Sequence, residues 1–180
     1  MAADSLRSLA RHLDVPERTL RRAAAEGLIR GERTSPRRYR TSLREEAYLR
    51  AHWPMLRELR EALRTEPNVR LAILFGSQAT GTGTARSDLD LLVALVDPRA
   101  SRVAELVGRL ESRIGRDVQL VRLQDAERVP GLMVDVVDRG RVLVDRDARW
   151  SRLQAAAPEW RSRAKRDEVS LEDAMPELDL

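Results

Sequence analysis

Cysteine is absent from this chain of 180 residues, which excludes disulfides and thiolate metal sites. Long hydrophobic runs are absent too: the longest, Leu91–Val96, is far short of the ~20 residues a membrane-crossing helix needs. Asp4 and Arg7 stand where a signal peptide would need an apolar stretch. These absences set the expectation of a soluble, cytoplasmic protein. Histidine is limited to His12 and His52, each alone on a helical stretch, so no histidine-based metal site is expected. Lysine is reduced to Lys165; every other basic residue is arginine, so only the clustering of arginines is informative.

That clustering is marked. Residues 1–50 hold 12 Arg against 7 acidic residues, whereas the remainder is nearly balanced at 21 basic and 22 acidic. A basic excess confined to one end is the electrostatic footprint of a nucleic-acid-binding module. Leu6, Leu9, Ala10 and Leu13 recur at helical spacing. Asp14-Val15-Pro16-Glu17 reads as the capped start of a second helix that stops at Gly27 and leaves Arg18, Thr19, Arg21 and Arg22 outward. Leu28-Ile29-Arg30 and Arg38-Tyr39-Arg40 flank a turn-rich GERTSP and predict a β-hairpin wing.

Ser42 and Glu45 form a second capping box, opening a helix that Pro54 is expected to kink or divide, with a domain boundary near Trp53. Beyond it the pattern alternates: strand Val69–Phe75, a short helix from Ser77, a flexible TGTGTAR loop, strand Asp88–Val96, a helix ending at Gly115, strand Asp117–Leu123, a helix around 131–138 and strand Val142–Val144. Trp150, Leu153 and Ala157 suggest one more helix, and residues 161–180 read as a charged tail, mobile or partner-bound. The fold class implied is α/β (α+β), with a small mixed sheet.

Chemistry concentrates in Leu71–Val93, LAILFGSQATGTGTARSDLDLLV. Residues two apart in a strand face the same way, so Asp88 and Asp90 share one face while Leu89 and Leu91 take the other. Adjacent carboxylates repel unless a cation lies between them. Upstream, Gly76-Ser77 lets backbone N–H groups approach a phosphate closely. Carboxylates and phosphate cradle together suggest a nucleoside triphosphate on Mg²⁺.

Gly76-Ser77-x-Ala79-x-Gly81 followed by Ser87-Asp88-x-Asp90 resembles the signature of polymerase-β-like nucleotidyltransferases, specifically the minimal ones, across about residues 55–145. The N-terminal segment resembles winged helix-turn-helix domains of the MerR type. The two resemblances imply a DNA-binding module (1–53), a nucleotidyltransferase palm (54–145) and a C-terminal helix with a mobile tail (146–180). They imply catalysis and two-Mg²⁺ ligation by Asp88, Asp90 and a third carboxylate, Asp117, with Asp125 as runner-up. Gly76, Ser77, Ser87 and Arg86 would contact ATP, and Arg18, Thr19, Arg21, Arg22, Arg37, Arg38 and Arg40 double-stranded DNA. Thr80 departs from the pattern, since many relatives carry a basic residue there. Minimal members often act as antitoxins that add AMP to a HEPN-type ribonuclease toxin, so the acceptor implied is a protein. A nucleotide-sensing regulator without catalysis and a transferase acting on a small molecule such as an aminoglycoside are the alternatives.

Overall fold

The structure is a computed structural model that describes residues 6–35 and 38–174, with side chains through residue 168. Helix α1 (Leu6–His12) buries Leu6, Leu9 and Ala10, and α2 (Glu17–Ala25) buries Leu20, Ala23 and Ala24. This is the spacing that gathers apolar side chains on one helix face. Between them Asp14 does not cap α2 as expected. It adopts a left-handed conformation (φ 51°) while the Val15 N–H returns to the Ala10 carbonyl at 3.0 Å. Asp14 therefore closes α1, a conformation its short polar side chain tolerates. Glu17 pairs instead with Arg21.

An antiparallel hairpin follows, β1 (Glu32–Ser35) with β2 (Arg38–Arg40). Leu28, Ile29 and Arg30, expected in its first strand, precede it. Leu28 and Ile29 are both buried, and a two-sided surface strand cannot shelter two consecutive residues.

Helix α3 (Leu43–Arg64) starts as the sequence indicates, with the Ser42 hydroxyl accepting the Glu45 N–H at 3.1 Å. Pro54 does not divide the helix; one helix of 22 residues runs through it. Proline inside a helix costs about 3 kcal/mol. Here it is exposed, and burial of Leu49, Trp53, Leu56, Leu59 and Leu63 along the opposite face offsets that cost. The boundary expected near Trp53 thus falls within a continuous helix, and one buried core runs from Leu6 to Val144.

The second half builds a mixed sheet from β3 (Val69–Phe75), β4 (Leu89–Leu95), β5 (Val118–Arg122) and β6 (Arg141–Asp145), in the order β5-β4-β3-β6. Strand β3 is antiparallel to both β4 and β6, and β4 is parallel to β5. The period-2 alternation of strands divides the core. Ala72, Leu74, Leu89, Leu91 and Val93 join α3 and α5 (Ala100–Ile114) on one side. Leu71, Ile73, Phe75, Leu92 and Ala94 pack on the other against α6 (Leu123–Ala126), α7 (Pro130–Arg139) and α8 (Arg149–Ala174). Covering both faces makes β3 a nearly continuous apolar run, each fully buried Leu or Ile contributing ~1.5–3 kcal/mol of transfer free energy. Among the described residues no helix is long and apolar enough to cross a membrane.

The segment expected to be a mobile tail is helical through Ala174. Leu153, Ala157 and Trp160 anchor α8 on the sheet, and the Arg-, Ala- and Glu-rich residues beyond have high helix propensity. Residues 175–180 lie outside the described residues.

One ion pair joins these parts. Arg141, 1% exposed, donates to Glu45 through Nη1 (2.6 Å) and Nη2 (2.8 Å), to the Leu28 carbonyl (3.2 Å) and through Nε to the Ala79 carbonyl (2.8 Å). Glu45 also accepts the Arg30 N–H at 3.0 Å. Its carboxylate is thereby engaged by arginine rather than by the return bond of the capping box. Replacing Glu45 by Ala strands a buried guanidinium, and equilibrium unfolding should show a loss of ~3–5 kcal/mol. Replacing Glu45 and Arg141 together by Met should recover most of it; a double variant as unstable as the single one would refute the assignment of the loss to the orphaned charge.

Candidate active site

The carboxylates Asp88 and Asp90 lie where β4 begins, at the end of β3 that leads into α4 (Gly76–Thr80). Asp90 is the register partner of Phe75, so the turn at Gly76 begins directly beside it. Gly76 takes φ +68°, and a Cβ there would collide with Oδ2 of Asp90. Only glycine both adopts that backbone and leaves room for the carboxylate. No side chain caps the start of α4. Ser77 follows half-buried, and its carbonyl accepts the N–H groups of Gly81, Thr82 and Gly83 at 3.0–3.1 Å.

The loop from Thr80 to Ser87 is more constrained than its small residues imply. Gln78, buried at 2% exposure, donates through Nε2 to the Thr84 carbonyl at 2.6 Å. Ser87 accepts the Thr84 N–H through Oγ at 3.0 Å, fixing the approach to Asp88. Arg86 is exposed, and among the described residues its guanidinium has no protein partner. Arg116 holds the loop from below, donating to the Ser87 carbonyl. Neither Gln78 nor Arg116 is signalled by the motif; both act on backbone carbonyls, which leave no trace in a residue pattern.

Burial, and then the neighbouring charge of Asp88, push the Asp90 carboxyl above its ordinary range. Two half-buried carboxylates on one face, one of them reluctant to ionise, fit a divalent cation that would relieve their repulsion. Asp117 does not join them. It is exposed ahead of β5, offering its backbone carbonyl to the Leu89 N–H at 2.9 Å. Asp125 lies on α6, paired with Arg122 at 2.6 Å. Among the described residues no group of three acidic or histidine side chains forms a cation cluster. The side chain that reaches the pair is Gln119, whose Nε2 donates to Oδ2 of Asp88 at 2.7 Å. Finding it requires the parallel β4–β5 register, in which Asp90 is partnered by Gln119.

The family model of polymerase beta nucleotidyltransferases matches residues 57–149, from the last turns of α3 through the Gly-Ser turn and all four strands of the sheet. The chain belongs to that family. It is a nucleotidyltransferase, and its mixed sheet is the fold expected of a small one. Among solved structures, a chain of the toxin-antitoxin with AMP-PNP is 26% identical, with a TM-score of 0.55 over 66% of this chain and 96% of that one. A chain from the complex of tri-AMPylated Shewanella oneidensis HEPN toxin with MNT antitoxin is 22% identical, with a TM-score of 0.52 over 68% and 97%, a likeness of fold. No curated protein matches the sequence significantly.

The basic N-terminal residues are arranged differently from the pair. Arg18, Arg21, Arg22, Arg38 and Arg40 are exposed and Thr19 is half-exposed. Arg21 and Arg22 are engaged along their own helix by Glu17 and Glu26. Arg37 lies outside the described residues.

The raised Asp90 carboxyl fixes a sign for stability. Its contribution to folding is full below the ordinary carboxylate pKa and is lost as pH rises through the raised folded value. In the absence of divalent cations, Asp90→Asn should therefore melt higher than the parent at pH 7, with the gain vanishing below about pH 4, near the unperturbed aspartate value. Thermal unfolding at both pH values checks this, and an equal or lower melting temperature at pH 7 would contradict it.

Proposed function

We propose that this nucleotidyltransferase transfers AMP from Mg²⁺-bound ATP to a protein acceptor, a HEPN-type toxin, and that its N-terminal module binds DNA. The observation that carries the chemistry is the placement of Asp88 and Asp90 on one face beside the Gly76 turn. Gly76 and Ser77 receive the phosphates, Ser87 orients the loop that presents Asp88, and Arg86 is free to reach a phosphate oxygen. When bound, Mg²⁺ supplies the Lewis acidity that activates the attacking hydroxyl and offsets charge on the departing pyrophosphate. Asp88 and Asp90 hold the cation and set the in-line geometry. Thr80 and Thr82 place hydroxyls, not cations, beside the cradle.

A protein acceptor is supported by the similarity to a chain solved as part of a toxin–antitoxin pair with a nonhydrolysable ATP analogue. DNA binding is supported by the charge cluster and by the order of elements: two short helices, an exposed hairpin and a long helix. That order supports reading the segment as a helix-turn-helix with a wing.

Two experiments test this reading. The protein should transfer labelled AMP to a co-purified partner encoded beside it, and Asp88→Asn with Asp90→Asn should lower the rate on the order of 10²–10³-fold, since metal stabilisation of the transition state is worth several kcal/mol. Unchanged modification of the partner by the double variant would remove the catalytic assignment. For DNA, Arg21→Ala with Arg22→Ala should reduce the slope of log affinity against log salt by ~0.9 for each phosphate that is no longer neutralised. An unaltered slope would assign the module to protein docking.

A further inference from the structure

The strand register sets a neutral amide beside Asp88 and Asp90 where a third carboxylate would complete a two-cation site. Asp90 and Gln119 are partners across the parallel β4–β5 pair, and such partners share a face. Val121 and Leu92, two residues further along each strand, confirm it by packing in the same core beneath α7 and α8. Gln119 uses this position to donate its Nε2–H to Oδ2 of Asp88 at 2.7 Å. Asp117, two residues earlier, is exposed and stands outside any cluster of three acidic side chains among the described residues.

We propose that Gln119 is the positioning residue of this site, that Asp117 is no cation ligand, and that cation and nucleotide consequently bind as one unit. The proposal rests on the reading of Asp88 and Asp90 as cation ligands. The amide occupies one lone pair of Asp88 Oδ2, fixes that carboxylate in place and leaves Oδ1 free for a cation. It does so without adding charge, so the protein offers two negative charges where three carboxylates would offer three. A divalent cation is held weakly by two partly solvated carboxylates, because the attraction scales with the charge facing it. The phosphates of the nucleotide then supply the missing charge, and cation affinity depends on their presence. Gln119 also keeps the two carboxylates from being joined by a third like charge, which limits their repulsion in the free protein.

The test is Mn²⁺ binding to the full chain, measured by calorimetry with and without a nonhydrolysable ATP analogue, a readout independent of transfer. The parent should bind Mn²⁺ alone weakly and at least tenfold more tightly with the analogue. Asp117→Asn should stay within about twofold of the parent in both states, whereas Asp88→Asn should lose binding in both. Gln119→Glu should tighten Mn²⁺ alone by about tenfold, as expected for one added charge at close range, and shrink the benefit of the analogue. Gln119→Ala should weaken Mn²⁺ binding in the presence of the analogue, with thermal unfolding confirming the fold of each variant. A loss in Asp117→Asn equal to that in Asp88→Asn would overturn the proposal, as would a Gln119→Glu affinity unchanged from the parent. Unaltered binding in Asp88→Asn would instead remove the cation-ligand reading beneath it. Mn²⁺ binding as proposed with no AMP transfer to any partner would leave Gln119's role standing and remove the transferase reading.

Discussion

The buried guanidinium of Arg141 joins three segments distant in sequence. Its donors satisfy a carboxylate at the first turn of α3, the carbonyl of Leu28 after α2 and the carbonyl of Ala79 at the end of α4, while its plane lies 3.5 Å over the ring of Tyr48. Tyr48 extends the same layer, donating its hydroxyl to the Gln78 carbonyl at 2.9 Å. Burial raises the Tyr48 phenol to about 12, so the hydroxyl stays a donor across the physiological range. A charge this deep is tolerated only because every partner is in place. The N-terminal helices and the Gly76 turn are therefore tied through a buried polar network as well as through the shared core.

The same network shapes the neighbourhood of α4. Arg30, at the foot of the hairpin, donates to the Ala79 carbonyl at 3.1 Å alongside Arg141. Two guanidinium groups thus meet the C-terminal end of a five-residue helix whose other end opens on Asp90. Their charge favours the carbonyl end of the helix and locks it against the sheet. The Gly76 turn is thereby held firmly beside the Asp90 carboxylate. The N-terminal module also reaches the sheet edge, where the Val142 N–H donates to the Gly27 carbonyl at 3.1 Å. Gly27 is held tightly enough that a Cβ would press on Trp150 of α8.

Much of this was legible in the residue pattern. The strands at 69–75 and 89–95, the stops at Gly27 and Gly115 and the shared face of Asp88 and Asp90 follow from short-range rules of periodicity and capping. Other features were not, for reasons that differ case by case. Asp14 obeys the capping pattern but is taken by the end of the preceding helix. Pro54 breaks a helix only where tertiary burial is too weak to hold it. Residues 161–174 hold few large apolar groups yet continue a helix anchored by Trp160. Which residue of the 117–123 segment reaches Asp88 depends on the β4–β5 register, which sets Gln119 beside Asp90.

The sequence by itself determined the chemistry that depends on residues close together in the chain: a glycine turn after an apolar strand, then two carboxylates at spacing two. Such relations survive any tertiary arrangement because the strand period enforces them. Only the tertiary structure decided which side chain stands third in the site, how the basic module meets the sheet, and that Glu45 answers to an arginine 96 positions away. Those depend on strand register and on buried polar satisfaction, and both are set by packing between segments distant in sequence.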